Sequence, residues 1–176
     1  MRIIGGKYSR RLIHPPKNLP VRPTTDLAKE SLFNILRHQV DFQDKNALDL
    51  FAGTGSISYE LASRGCAQVI SVDQNYRCIR FIKETSQGFE MNIKAVRADV
   101  FRFIKSTPLK FDLIFADPPY SLEGIENISQ MIFEHQLLNP GGLLVVEHPG
   151  SIDLSEQPGF SSHRNYGKVN FSFFRA

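Results

Sequence analysis

The stretch Phe111-Asp-Leu-Ile-Phe-Ala-Asp-Pro-Pro-Tyr120 constrains this chain more than any other. Leu113 to Ala116 are continuously apolar, which predicts a strand covered on both faces, as in a parallel sheet flanked by helices. Pro118 and Pro119 then fix φ and remove two backbone donors, so the chain must leave the sheet as a stiff turn. The turn carries the Asp117 carboxylate, free carbonyls and the Tyr120 ring. Such a set suits a planar amino group on a flat ring: Asp117 and the Pro118 carbonyl accept its two hydrogens and Tyr120 stacks on it. A strand-ending turn capped by an Asp would use the same residues; the position after a buried strand favours a site.

Four further apolar runs share that plan. Ala47 to Phe51 predicts a strand running into Ala52-Gly53-Thr54-Gly55-Ser56 and a helix to about Arg64. Strand, glycine turn and helix is the layout of a nucleotide-type site at the carboxyl end of a strand. The dinucleotide fingerprint needs a further glycine where this chain has Ser58, so a pyrophosphate is poorly provided for. Asp49 either faces a cationic ligand or holds the turn through backbone amides. Gln68 to Asp73 predicts the next strand, ending in an acid placed to accept ribose hydroxyls. After a helix from Asn75 to about Glu90, Lys94 to Ala98 predicts a third strand. It ends at Asp99, which either accepts from an adenine amino group or caps the following helix. A helix around residues 125–135, a turn at Asn139-Pro-Gly-Gly142 and a strand at Leu143 to Glu147 follow the opening stretch. The tail, 160–164 and 169–175, predicts a final antiparallel hairpin.

The other end of the chain is basic. Net charge is +3, yet residues 1–40 hold eight Lys or Arg against Asp26 and Glu30. Lys7, Arg10 and Arg11 interleave with Tyr8 in what reads as a short hairpin with a Gly5-Gly6 turn. Pro15, Pro16 and Pro20 then predict an extended linker, which divides the chain into an arm, 1–20, and a main domain, 21–176. A basic arm on a near-neutral body suits a polyanionic partner. Arg22, held extended before Pro23, can reach a phosphate or a base, and Thr24, Thr25 and Asp26 offer cap oxygens to a helix over 27–38.

With the strand-end acids, the glycine turn and Asp117-Pro-Pro-Tyr120 in place, the chain resembles the S-adenosylmethionine-dependent amino-methyltransferases. More narrowly it is similar to the bacterial small-subunit (16S) ribosomal RNA (guanine-N2)-methyltransferase family. The resemblance rests on Met1-Arg-Ile-Ile-Gly-Gly6, Arg10-Arg-Leu12, Arg22-Pro-Thr-Thr-Asp26, Glu30-Ser-Leu-Phe-Asn34, the glycine turn and the D-P-P-Y. It implies an α/β, Rossmann-like seven-stranded sheet, mostly parallel with its last strand antiparallel, plus the N-terminal hairpin. It implies S-adenosylmethionine beside Asp49, Phe51, Ala52, Gly53, Thr54 and Gly55, with Asp73 on the ribose and Asp99 on the adenine. Asp117, Pro118, Pro119 and Tyr120 would hold the target guanine; Arg10, Arg11, Arg22, Thr24 and Thr25 would contact RNA. Family members often carry Glu two residues before the second strand's terminal Asp, where this chain has Ser71, so the ribose acid aligns either with Asp73 or two residues away. The implied partner is 16S ribosomal RNA in the small ribosomal subunit, met by a cytoplasmic monomer.

Other readings meet specific obstacles. A DNA adenine-N6 or protein glutamine methyltransferase shares the core, but the short basic arm without a separate sequence-reading domain favours RNA. A catalytically silent RNA-binding assembly factor would not need an intact D-P-P-Y. Cysteine-nucleophile chemistry lacks a Pro-Cys pair; Cys66 and Cys78 have no metal-like spacing and read as reduced thiols. His148 beside Glu147 resembles an acid/base pair, but His-Pro after a strand reads as a loop. Nothing in the sequence approaches a membrane span.

Overall fold

The computed structural model describes residues 1–19, 21 and 25–176. Seven strands form one sheet in the order β3-β2-β1-β4-β5-β7-β6. The strands are β1 (Asn46–Leu50), β2 (Gln68–Asp73), β3 (Ile93–Arg97), β4 (Phe111–Ala116), β5 (Leu138–His148), β6 (Phe160–Tyr166) and β7 (Val169–Arg175). The first five pair in parallel, whereas β7 runs antiparallel between β5 and β6. The chain therefore has the expected Rossmann-like sheet with its last strand reversed. Its helices are α1 (Asp26–Leu36), α2 (Ser56–Ser63), α3 (Tyr76–Gly88), α4 (Val100–Ser106) and α5 (Glu126–Glu134).

Alternation along the central strands feeds two cores. On β4, Ile114 and Ala116 join Leu48, Leu50 and Val146 beneath α4 and α5. Leu113 and Phe115 face the other way, onto Leu32, Phe33 and Leu36 of α1 and Ile57 and Leu61 of α2. Burial on both faces is why β4 is apolar from Leu113 to Ala116, and it holds the carboxyl ends of β1 and β4 in fixed register, Leu50 beside Ala116.

Two local expectations change. Asn139 to Gly142 form no terminating turn but a bulge inside β5: Phe111 pairs with Leu138 and Leu113 with Leu143. Gly141 sits at φ +74° and donates to the Ala176 carbonyl at 3.2 Å, so the ladder resumes beyond it. The N-terminal segment is not a hairpin of two strands. Arg2 and Leu12 make one isolated antiparallel bridge, and the loop between them carries Arg10 at φ +69°.

That segment is nonetheless fixed to the domain. Ile3 and Ile13 are buried with Tyr59, Ile82 and Met91. The Lys7 N–H donates to the Ser63 carbonyl at 2.7 Å and the Tyr8 N–H to Ser63 Oγ at 3.0 Å. Beneath it lies Glu60, fully buried on α2, which accepts from the Ile4 and Gly5 N–H groups at 2.9 and 2.8 Å and pairs with Arg64 at 2.8 Å and Lys29 at 3.6 Å. Lys29 Nζ in turn donates to the Arg2 carbonyl at 2.6 Å. Burial lowers the Lys29 pKa, and Glu60 opposes that shift.

Candidate active site

The carboxyl ends of β1, β2, β3, β4 and β5 converge at one edge of the sheet, where ligands of open α/β folds bind. At β1 the chain turns through Phe51 (φ +60°), Gly53 (φ +54°) and Gly55 (φ +80°) into α2. A Cβ on Gly55 would fall 2.8 Å from Ile82 and 2.9 Å from the Tyr59 ring, so that position admits only glycine. Beyond it Ser56 Oγ is buried with no partner among the described residues.

Asp73, at the end of β2, braces this turn. One carboxylate oxygen accepts from the Gly53 N–H at 2.9 Å and the other from the Asn75 N–H at 2.8 Å. Asn75, two residues on, is the cap of α3, accepting from Arg77 and Cys78. Asp49 lies deeper: Ser58 donates to it at 2.5 Å and Ser58 and Ser71 are 2.6 Å apart. Burial pushes its carboxyl up to about 7. The position that departs from the dinucleotide fingerprint, Ser58, thus serves Asp49 instead. Asp99 is exposed and caps α4 through the Arg102 N–H at 2.9 Å, one of its two sequence readings. The Ala98 N–H bonded to the Asp73 carbonyl at 3.1 Å holds the two acids on neighbouring loops. Phe101 meets Phe51 edge-on at 6.5 Å between centroids, giving this end an aromatic wall that periodicity alone hid.

Asp117 and Tyr120 stand on the other side of Phe51. The Asp117 N–H donates to the Leu50 carbonyl at 3.3 Å. The Pro119 carbonyl is taken by the Leu122 N–H at 2.8 Å, while the Pro118 carbonyl accepts no hydrogen bond among the described residues. Tyr120 is 46% exposed, and its hydroxyl donates to Glu147 at 3.2 Å. Sequence reading passes over Glu147 as a site residue. Its signal is its place at the end of the strand next to β4: Ala116 pairs with Val146, so Asp117 and Glu147 follow side by side. Burial raises the Asp117 pKa well above the usual carboxylate range, and Glu147 and Asp49 raise it further. Burial also holds the Glu147 carboxyl at about 7.

The remaining expected residues divide. Arg10 and Arg11 are exposed. The Arg11 guanidinium lies 5.7 Å from the Tyr8 ring centre and 5.3 Å from that of Phe89, with Lys7 Nζ 5.1 Å from Tyr8. Thr25 is the N-cap of α1, accepting from the Ala28 N–H at 3.2 Å. Arg22 and Thr24 lie outside the described residues. Met1 meets Thr54 at 3.6 Å, and Val21, just past the arm, lies close to Gly53, so the chain at either end of the arm reaches the glycine turn. His148 is structural: it is buried and bonded to Ser172 at 2.8 Å. Among the described residues no metal-binding cluster occurs and no helix is long and apolar enough to cross a membrane.

This fold and edge define a Rossmann-like methyltransferase, and comparison with known proteins agrees. The chain belongs to the family described as conserved hypothetical protein 95, whose model matches residues 1–175. The relative named "Putative rRNA methyltransferase YlbH", from Bacillus subtilis, is 31% identical over 99% of this chain and 98% of its own. Ribosomal RNA small subunit methyltransferase D of Escherichia coli K12 is 29% identical over 99% of this chain and 89% of its own. The solved structure of hypothetical protein TTHA0928 from Thermus thermophilus superposes with a TM-score of 0.86 at 26% identity, covering 100% of this chain and 99% of that one. Other solved structures of this fold hold S-adenosylmethionine with guanosine, or S-adenosylhomocysteine. S-adenosylmethionine is the cofactor of this class.

Proposed function

We propose that this protein methylates the exocyclic N2 amine of a guanine in small-subunit (16S) ribosomal RNA. The observation that carries the reading is the pair of unused acceptors at the end of β4, Asp117 and the Pro118 carbonyl, beside an exposed tyrosine ring and a glycine turn. The N-terminal arm and its relatives' names support ribosomal RNA, and guanosine held in a structure of the same fold supports the base.

The cofactor fits the glycine side. Gly53 and Gly55 give the turn its positive-φ course into α2, the orphaned Ser56 hydroxyl and the α2 N-terminus suit a carboxylate, and Asp73 and Asp99 retain lone pairs for ribose and adenine. Phe51 and Phe101 would wall the adenosine end. Bound there, S-adenosylmethionine supplies an electrophilic methyl group on a positively charged sulfur.

The chain's own residues then act on the base. A guanine amine is a poor nucleophile because its lone pair is delocalised into the ring. Asp117 and the Pro118 carbonyl accept its two hydrogens, which orients the nitrogen and favours a tetrahedral geometry as it attacks. Holding the reacting groups in line is worth roughly 7–11 kcal/mol of barrier. Once the sulfonium had given up its methyl group to the nitrogen, the Asp117 carboxylate would accept the proton that the methylated nitrogen loses. Unstacking the base costs a few kcal/mol, and stacking on Tyr120, about 1–3 kcal/mol, offsets part of it. Lys7, Arg10 and Arg11 would grip the phosphates.

The test is transfer of a labelled methyl group from S-adenosylmethionine to unmodified small subunits, their naked RNA and duplex DNA, by wild type and Asp117→Ala. Label recovered as N2-methylguanine, with transfer by Asp117→Ala reduced by about 10²-fold or more and cofactor affinity kept, is expected. Label on DNA adenine would overturn the substrate, and equal loss of transfer and cofactor binding would overturn the Asp117 role.

A further inference from the structure

Granted the guanine reading above, we propose that Glu147 is the residue that selects guanine, its carboxylate accepting the N1–H of the base whose N2 amine Asp117 holds. Both acids leave adjacent parallel strands at the same level, Asp117 after Ala116 and Glu147 after Val146. Glu147 is 7% exposed, yet only one of its oxygens is used, by the Tyr120 hydroxyl at 3.2 Å. The other oxygen, Oε2, is buried without a partner among the described residues. A buried carboxylate oxygen with no donor is costly and uncommon, and here it stands beside the acceptors assigned to the substrate.

The chemistry of the bases gives that oxygen a use. Guanine presents two donors next to each other, N1–H and the N2 amine. Adenine and cytosine also carry an exocyclic amine, but the ring nitrogen beside it is a lone-pair acceptor. A carboxylate next to the amine site therefore bonds guanine and repels the other two, so one residue supplies both attraction and rejection. The Tyr120 hydroxyl fixes this carboxylate, which ties the stacking ring to the edge-reading group. Asp117 alone cannot make the distinction, since every amino base offers it the same two hydrogens.

The wild-type enzyme first marks its target nucleotide in small-subunit RNA. The same RNA is then rebuilt by ligation with 2-aminopurine at that nucleotide, which keeps the 2-amino group and replaces N1–H by a lone pair. Wild type is expected to use guanine over 2-aminopurine by about a hundredfold in kcat/KM, the size of losing a hydrogen bond to a charged group and gaining a repulsion. Glu147→Gln, whose amide offers either an N–H or a carbonyl, is expected to bring that ratio within about tenfold, with cofactor affinity kept. Each ratio is internal to one preparation, so a partly unfolded variant does not disturb it. Equal use of both bases by wild type, or an unchanged ratio in Glu147→Gln, overturns the role of Glu147. Absence of N2-methylguanine from the wild-type product overturns instead the guanine assignment, and the selector with it.

Discussion

Glu60 on α2 and Glu147 near the end of β5 are both buried glutamates, and they are built in opposite ways. Glu60 takes two backbone N–H groups, the Arg64 guanidinium and Lys29, so its charge is answered on every side. Glu147 receives one phenol hydroxyl and keeps a bare oxygen next to another raised carboxyl, Asp117. Burial is the same; what differs is whether the protein itself supplies the donors. Where it does, a charge welds elements together, here the arm to α2. Where it does not, acceptor capacity remains for a substrate.

That contrast is sharpest for stability. Glu60→Ala leaves Lys29 buried without its counter-ion and two arm N–H groups without an acceptor. Removing one partner of a buried pair costs about 3–5 kcal/mol. Urea unfolding at neutral pH should show a loss of that size, with the arm becoming sensitive to protease. A loss below about 1 kcal/mol would mean that Glu60 does not anchor the arm.

Glu147 should respond with the opposite sign, and only at high pH. Burial raises its pKa from 4.5 to about 7, so the folded state keeps a proton that the unfolded chain has lost. Stability therefore falls as pH rises from about 4.5 to 7, and above that window the folded protein carries the full cost of the buried charge. Glu147→Gln removes the cost and also relieves Asp117. It should gain roughly 1–3 kcal/mol over wild type at pH 8 and almost nothing at pH 5, where wild-type Glu147 is already neutral. An equal difference at both pH values would assign the effect to packing.

The cofactor half of the site is the more legible in sequence. Largely apolar runs mark β1, β2 and β4 nearly to the residue, because a strand buried on both faces carries few polar positions to blur it. The glycine turn, Asp73 and Asp117 fall at the strand ends expected of them. Long-range pairing is what the sequence conceals. Asn139-Pro-Gly-Gly142 has turn chemistry, and only its contact with Ala176 makes it a bulge. Lys29 counts in sequence only among the basic residues of the first forty, since its partner Glu60 is distant in the chain. Glu147 reads as the last residue of a strand until the register sets it beside Asp117. Thr25 reads in sequence as a cap oxygen for α1, and the Ala28 N–H takes its hydroxyl; a contact with RNA rests on the resemblance alone.

The arm offers the mildest way to probe the comparison, because its outer charges answer to nothing among the described residues. Arg10 and Arg11 are exposed, and Arg11 spreads over the Tyr8 and Phe89 rings without an acidic partner there. Replacing both arginines by alanine should leave the Glu60 anchor, and hence stability, nearly untouched. RNA affinity should fall, and the slope of log affinity against log salt should shrink by about 1–2, one phosphate contact per lost arginine. Because the loss is in binding, kcat at saturating RNA should hold while KM rises. An unchanged slope would make the basic arm a structural strap only, with Glu60 holding it in place for the sake of the fold and not for the substrate.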